Sequence, residues 1–217
     1  MAETTMESPA APEVEAAARV DPEVDRARMK RIGSFHFVLV MGGLTLWGAA
    51  ETWARTTGWA LAEAAAIANA LIAATVIAST IHEWGHFAGA RLSGAISPVL
   101  RRPRRHFFMF DFDLERNDVR QFTWMSWGGI LAPWLPVLIV LLAVPLDRWS
   151  GAALLAAFVW RAAAVAAFEV PVVRAVERSG DPIAALRARV KEGGLASSGR
   201  VGMAVGAVCF ALLVVTG

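Results

Sequence analysis

Two histidines and a glutamate, His82, Glu83 and His86, carry the chemistry that this sequence offers most clearly. They form an H-E-x-x-H pattern at the end of a long apolar run. On a helix, residues four apart share one face and lie about 6 Å apart along the axis, so both imidazoles can bind one Zn²⁺. Glu83 would stand beside the metal, where it can take a proton from the attacking water and return it to a leaving amine. The motif therefore predicts zinc-dependent hydrolysis of a peptide bond.

The composition places this motif in a membrane protein. Of the 217 residues, 56% are hydrophobic and only 18% are charged. A soluble domain of this size rarely combines so high a hydrophobic fraction with so low a charged fraction. Ionisable groups within apolar segments are costly enough to indicate function, and two of the four histidines lie in the motif. A single cysteine excludes a disulfide framework and a thiolate metal site.

Five apolar segments are each close to the ~20 residues that a helix needs to cross ~30 Å of hydrocarbon. They span approximately residues 35–53, 59–90, 124–146, 151–173 and 201–216. We therefore predict an all-α integral membrane protein with about five transmembrane helices. Residues 1–33, rich in Ala, Glu and Pro, are predicted to form a disordered or loosely helical cytoplasmic tail, and residues 34–217 a membrane-embedded domain.

The distribution of positive charge predicts the orientation. Five Lys and Arg residues lie in the N-terminal tail, seven between residues 91 and 120, and six between 174 and 200, out of 21 in the chain. The positive-inside rule then gives a cytoplasmic N-terminus and an external C-terminus, in a plasma membrane that would be the inner membrane of a bacterial cell. His82 lies near the cytoplasmic end of the second segment, where water can reach it.

Small residues follow the motif at regular spacing. Gly85, Ala90 and Gly94 extend it to H-E-x-G-H-x-x-x-A-x-x-x-G. With this extension the chain resembles the site-2 protease family of intramembrane zinc metalloproteases. The resemblance implies a three-helix catalytic core, approximately residues 59–190, that cleaves transmembrane helices of membrane-tethered substrates in regulated intramembrane proteolysis. Independently of the family, Gly85 and Gly89 form a G-x-x-x-G pattern that lets another helix approach closely.

A catalytic zinc site usually has three protein ligands and a water molecule, so one ligand must come from elsewhere. The site-2 family supplies an aspartate, in a pattern like N-x-x-P followed by L-D-G. The matching stretch here is F-E-V-P at residues 168–171 and then Asp181, with glutamate in place of the asparagine. The resemblance therefore assigns the zinc to His82, His86 and Asp181.

Other residues compete for the third position. Glu177 and Asp181 are spaced as in the E-x-x-x-D element of membrane zinc proteases related to the CAAX-processing type, in which the glutamate is the ligand. Glu169 or an acid of the central loop is a further alternative. His36 could approach the metal from the first segment, although a lone histidine at a helix end usually forms a hydrogen bond instead. Asp181 is also a good helix N-cap, because Pro182 follows it.

Two stretches outside the motif are predicted to complete the site. Residues 126–133, S-W-G-G-I-L-A-P, are similar to the family's small-residue element that packs against the zinc helix, and Pro133 and Pro136 can bend this segment and free carbonyl groups. Residues 108–115 alternate aromatic and other side chains, which predicts a short interfacial strand or hairpin. We expect this strand either to pair with an unwound substrate or simply to cover the site.

Two charged residues, Arg161 and Glu63, lie within apolar segments. Each is expected to face the bundle, because a charge exposed to hydrocarbon is costly. Neither lies at the predicted level of the metal, so the sequence favours a structural ion pair between them.

The sequence thus predicts a zinc-dependent intramembrane endopeptidase whose partners are a membrane protein substrate and anionic lipid head groups. A run of arginines between residues 101 and 105 would attract such head groups. Nucleic acid is not expected as a partner, because the positive-inside rule already accounts for positive charge on the cytoplasmic side. A non-proteolytic metal-binding membrane protein is an alternative. A transporter is disfavoured, because neither inverted repeats nor several mid-membrane acids occur.

Overall fold

Long apolar helices with one small antiparallel sheet make up the structure, a computed structural model that describes residues 21–104 and 108–216. In chain order the elements are α1 (Pro22–Thr57), α2 (Ala60–Leu92), β1 (Val99–Arg104), β2 (Phe108–Phe110), α3 (Val119–Leu131), α4 (Trp134–Ala143), α5 (Trp149–Ser179), α6 (Pro182–Lys191) and α7 (Gly194–Thr216). Five stretches in this part of the chain are long and apolar enough to cross a membrane: α1, α2, α3 with α4, α5 and α7. The predicted helical class and the number of apolar segments are confirmed, and they are compatible with a membrane protein.

Helix α1 begins earlier than the sequence predicted. Asp21 caps it by accepting a hydrogen bond from the Glu23 N–H at 2.8 Å, and Pro22 occupies the first turn. Residues 22–33, assigned to a disordered or loosely helical tail, are helical and continuous with the first apolar segment. Residues 1–20 of the tail lie outside the described residues.

Contacts with the sheet explain why this first part of α1 is helical. Asp25 accepts a hydrogen bond from the Val99 N–H at 2.7 Å and pairs with Arg91, at the end of α2, at 2.6 Å. Arg28 donates to the Val99 carbonyl at 3.1 Å. Below these contacts lies an apolar cluster formed by Ile32, Phe87, Val99 and Met109. The start of α1, the end of α2 and both strands thus share one small core.

The aromatic strand is shorter than predicted. Only Phe108–Phe110 pairs with β1, with Phe110 opposite Val99, and the loop that follows has no strand pairing before Asp118 caps α3. Met109 is fully buried in the apolar cluster. The predicted alternation therefore holds over only a few residues, because the chain must turn to begin α3.

Glycines bring α2 and α3 into backbone contact. A Cβ atom at Gly85 would collide with the Gly128 carbonyl oxygen, and one at Gly89 with the Trp124 carbonyl oxygen. The reverse holds at Gly128, where a Cβ would collide with the Gly85 carbonyl. The G-x-x-x-G pattern therefore does what the sequence predicted and lets two helices approach at van der Waals distance.

Charged residues pair at the end of the bundle where α2 and α5 begin. Glu63, in the first turn of α2, pairs with Arg148, the N-cap residue of α5, and Glu51 lies 3.5 Å from the same guanidinium. The expected pair of Glu63 and Arg161 is not formed, so that prediction is wrong. Arg161 lies further along α5, at a different level of the bundle, and its Nη2 donates instead to the Ser79 hydroxyl at 3.3 Å.

The glycine contact predicts opposite effects for two glycine-to-alanine substitutions. Gly89→Ala should lower the melting temperature of the purified protein by several degrees, because it forces α3 away and such overpacking costs about 1–3 kcal/mol. Gly42→Ala is the matched control, since a Cβ there meets nothing within 4 Å and alanine favours the helix. Thermal unfolding in detergent measures both, and equal melting temperatures for the two variants would contradict the contact.

Candidate metal centre

Three residues, His82, His86 and Glu169, converge between α2 and α5. The Nε2 atoms of His82 and His86 lie 3.3 and 3.2 Å from the same Glu169 carboxylate oxygen. The two imidazole rings have centroids 4.4 Å apart and are inclined at 70°. One ligand atom from each of the three lies within 4.8 Å of the others, so this cluster could hold a metal ion.

Both imidazoles are oriented by backbone carbonyls of α3. His82 Nδ1 lies 3.0 Å from the Gly129 carbonyl oxygen, and His86 Nδ1 lies 3.0 Å from that of Met125. Because a carbonyl oxygen only accepts, each Nδ1 carries the hydrogen, and each Nε2 keeps its lone pair for a metal. The backbone contact of α2 with α3 therefore sets the tautomer of both histidines.

A proline explains why the Gly129 carbonyl is available. In an uninterrupted helix it would accept from the N–H four residues later, but that residue is Pro133, which has none. The helix is interrupted there, between α3 and α4. The predicted freeing of carbonyl groups by Pro133 is therefore confirmed at this residue, and His82 is the partner that takes the freed carbonyl.

Glu169 reaches the histidines from α5, close to Pro171, a proline inside that helix. Pro171 removes the N–H that would bond to the Ala167 carbonyl, and Arg189 of α6 donates to that oxygen at 2.8 Å instead. One Glu169 oxygen, Oε1, faces the imidazoles, and Oε2 is buried without a hydrogen-bond partner among the described residues. A buried carboxylate oxygen that lacks a donor fits a site for a cation.

Asp181, the predicted third ligand, is not part of the cluster. Gly180 ends α5 with a φ of 71°, and the turn that follows places Asp181 at the start of α6. Its exposed carboxylate accepts a hydrogen bond from the Ala184 N–H at 2.9 Å, so its alternative role as an N-cap is confirmed. Glu177 is also exposed. Of the acids considered for this position, Glu169 is the one that joins the histidines.

His36, the other histidine considered as a ligand, has a different role. It is buried, and its Nδ1 accepts a hydrogen bond from the Trp84 indole N–H at 3.0 Å. The alternative interpretation, a hydrogen-bonded histidine near the end of an apolar segment, describes this contact. Through Trp84, His36 links α1 to the helix that carries the motif.

Glu83 lies beside the cluster and is held by the sheet. It is only 4% exposed, and its Oε1 accepts a hydrogen bond from the Met109 backbone N–H at 2.9 Å. Strand β2 therefore does more than cover the site, since it positions the carboxylate that the motif assigns to proton transfer. Nothing in the sequence pattern indicated this donor.

An apolar cavity of about 600 Å³ contains these groups. Its ionisable lining consists of His82, Glu83, His86, Arg161 and Glu169. Aromatic residues Phe110, Phe112, Phe122 and Phe168 supply much of the remaining wall, and α7 contributes Leu195, Ser198 and Gly199. The sequence had placed α7 as a flanking helix and Arg161 away from the metal, so both are additions to the site. For Arg161, the one signal in the sequence was the position of an arginine inside an apolar segment.

Comparison with known proteins adds no relative: no protein-family model, no curated protein and no solved structure matches this chain. The interpretation of the site therefore depends on its own geometry. That geometry is a group of two imidazoles and one carboxylate able to hold a metal ion, next to a buried glutamate in an apolar cavity.

Proposed function

We propose that this protein is a zinc-dependent intramembrane endopeptidase, similar to the site-2 proteases, in which His82, His86 and Glu169 hold the metal and Glu83 transfers protons. The observation that carries the proposal is the convergence of the two motif histidines with one carboxylate, beside a second carboxylate, inside a bundle of apolar helices. Glu169 replaces Asp181 as the proposed third ligand.

The spacing of the ligand atoms supports a zinc ion. Atoms at the corners of a tetrahedron with bonds of ~2.0–2.1 Å are about 3.3 Å apart. The two distances from Glu169 to the imidazole nitrogens are 3.3 and 3.2 Å. Two neutral imidazoles and one carboxylate are also a ligand set that zinc hydrolases use, with the fourth position left for water. Zinc bound there would polarise the scissile carbonyl and make the attacking water more acidic.

Glu83 is proposed to act as general base and then as general acid. It lines the same cavity as the metal ligands, and the Met109 N–H fixes one of its oxygens. A fixed carboxylate keeps its orientation while it takes a proton from water and delivers it to the leaving nitrogen. The surrounding aromatic walls exclude bulk water and favour the apolar side chains of a membrane-embedded peptide.

The proposed substrate is a transmembrane helix of another protein. Its backbone must unwind locally before attack, because a helix keeps its carbonyl groups in internal hydrogen bonds. We propose that the site lies towards the cytoplasmic face. The basic residues Arg91 and Arg101, at the same end of the bundle as the sheet, support this orientation.

Metal analysis of four variants tests the ligand set. The parent should contain one zinc ion per chain, and His86→Ala and Glu169→Gln should lose most of it, because each removes a ligand. Asp181→Asn should keep its zinc, since asparagine preserves the N-cap. Glu177→Gln, at an exposed position of α5, is the matched control. Elemental analysis of the purified proteins in detergent gives the stoichiometry. Zinc retained in Glu169→Gln but lost in Asp181→Asn would contradict the proposed ligands.

Substitution of Glu83 separates catalysis from metal binding. Glu83→Gln should keep its zinc and lose turnover by roughly 10²- to 10⁴-fold, the usual contribution of a general acid-base group. Cleavage of a quenched fluorescent library of apolar peptides measures the rate, with Glu177→Gln as the control for a carboxylate-to-amide change. A zinc-loaded parent that cleaves no peptide would instead indicate a non-proteolytic metal-binding protein.

A further inference from the structure

Arg161 lies in the wall of the metal cavity and has one side-chain hydrogen bond to the described residues. A guanidinium has five N–H donors. Within the described residues, Arg161 Nη2 donates to the Ser79 hydroxyl at 3.3 Å, and its buried Nε has no hydrogen-bond partner. No carboxylate of the described residues forms an ion pair with it. A cation therefore faces an apolar cavity, and the part of the chain that the structure describes supplies no counter-ion.

Three other arginines of the described helices are paired with carboxylates, whereas Arg189 donates to a backbone carbonyl. Arg148 pairs with Glu63, Arg91 with Asp25, and Arg55 with Glu51. An unpaired charge inside an apolar bundle is costly, and its presence here points to a ligand that supplies the missing partner.

The charges that line the cavity indicate the sign of that ligand. With a divalent cation in the proposed site, the two carboxylates of Glu83 and Glu169 neutralise the metal, and the guanidinium of Arg161 remains as one excess positive charge. A single carboxylate from the substrate would balance it. In an apolar cavity the attraction between such a pair is stronger than in water.

The hydrogen bond to Ser79 shows at which level of the cavity the Arg161 guanidinium lies. The guanidinium lies at the level of Ser79, which precedes His82 by three residues and is therefore about 4.5 Å away along α2. An offset of about 4.5 Å along the helix corresponds to one or two residues of extended peptide, which rise ~3.3 Å each.

We propose that Arg161 binds a carboxylate of the peptide substrate, one or two residues from the bond that is cut, and thereby selects the cleavage position. This inference rests on the proposed function. The carboxylate belongs either to an Asp or Glu side chain or to a free C-terminus, and both present the same planar pair of oxygens to the guanidinium fork. Arg161 is thus a specificity residue, and Ser79 positions its side chain.

A binding experiment that needs no turnover tests this inference. Three fluorescein-labelled nonapeptides of alanine and leucine are compared: one with a central glutamate and an amidated C-terminus, one with glutamine in its place, and one with glutamine and a free C-terminus. Fluorescence anisotropy measures their affinity for the zinc-loaded Glu83→Gln protein in an uncharged detergent; the substitution prevents cleavage and adds one positive charge beside the metal in every measurement alike, so that the comparison with the Arg161 variants isolates the guanidinium. A peptide with the required carboxylate should bind about 10- to 100-fold more tightly than the neutral one, as expected for a charged hydrogen bond. Whichever acidic peptide shows the advantage identifies the source of the carboxylate.

Matched arginine variants assign the effect to the side chain. In Arg161→Gln the advantage of the carboxylate should disappear, and in Arg161→Lys, which keeps the charge without the fork, it should be partly retained. Arg174→Gln, at an exposed position of the same helix, should leave it unchanged. Zinc content and melting temperature show whether each variant is folded, and Arg161→Lys provides the comparison if Arg161→Gln is not.

Two results would overturn the inference. One is equal affinity for the acidic and neutral peptides, or no binding of any of them. The other is a carboxylate advantage that persists without Arg161, which would place the carboxylate on the metal. Since binding is measured without cleavage, failure of the parent to cut peptides would refute the endopeptidase while an Arg161-dependent affinity would still establish the carboxylate site.

Discussion

The backbone contact between α2 and α3 is the constraint on which the candidate site depends. Hydrogen atoms in place of side chains at Gly85 and Gly128 let the two helices approach until carbonyls of α3 reach both imidazoles. Those two hydrogen bonds determine which nitrogen of each histidine is left for a metal. The orientation of the metal-binding nitrogens therefore depends on the packing of these two helices, because separating the helices would release His82 and His86 together.

Two prolines supply polar contacts in surroundings that offer few others. Pro133 and Pro171 each leave one carbonyl without its helical donor, and in an apolar bundle such a group needs another partner. The first carbonyl accepts from His82, and the second accepts from Arg189 of α6. A local defect in each helix thus becomes a link to a neighbouring helix, and both links lie beside the metal cluster.

Local patterns in the sequence predicted the parts of the site that depend on neighbouring residues. The apolar segments, the motif on α2 and its glycine contact all follow from spacing within one helix. The third ligand did not, because whether Glu169 or Asp181 meets the histidines depends on how α5 is rotated against α2 and on where Gly180 ends α5. Arg161 was misplaced for the same reason. Its expected partner, Glu63, lies at a different height along the bundle. The spacing of residues within one helix does not show how that helix is shifted along its neighbour.

The hydrogen bond that holds Glu83 comes from the main chain of Met109. Every residue except proline has that N–H, so substitution at this position leaves the donor intact as long as β2 keeps its pairing with β1. The side chain at position 109 can therefore change among descendants of this sequence, within the space that the apolar cluster leaves it, while the orientation of the glutamate is inherited through strand register. A comparison of aligned residues would find little trace of this contact, although it acts on the group assigned to proton transfer.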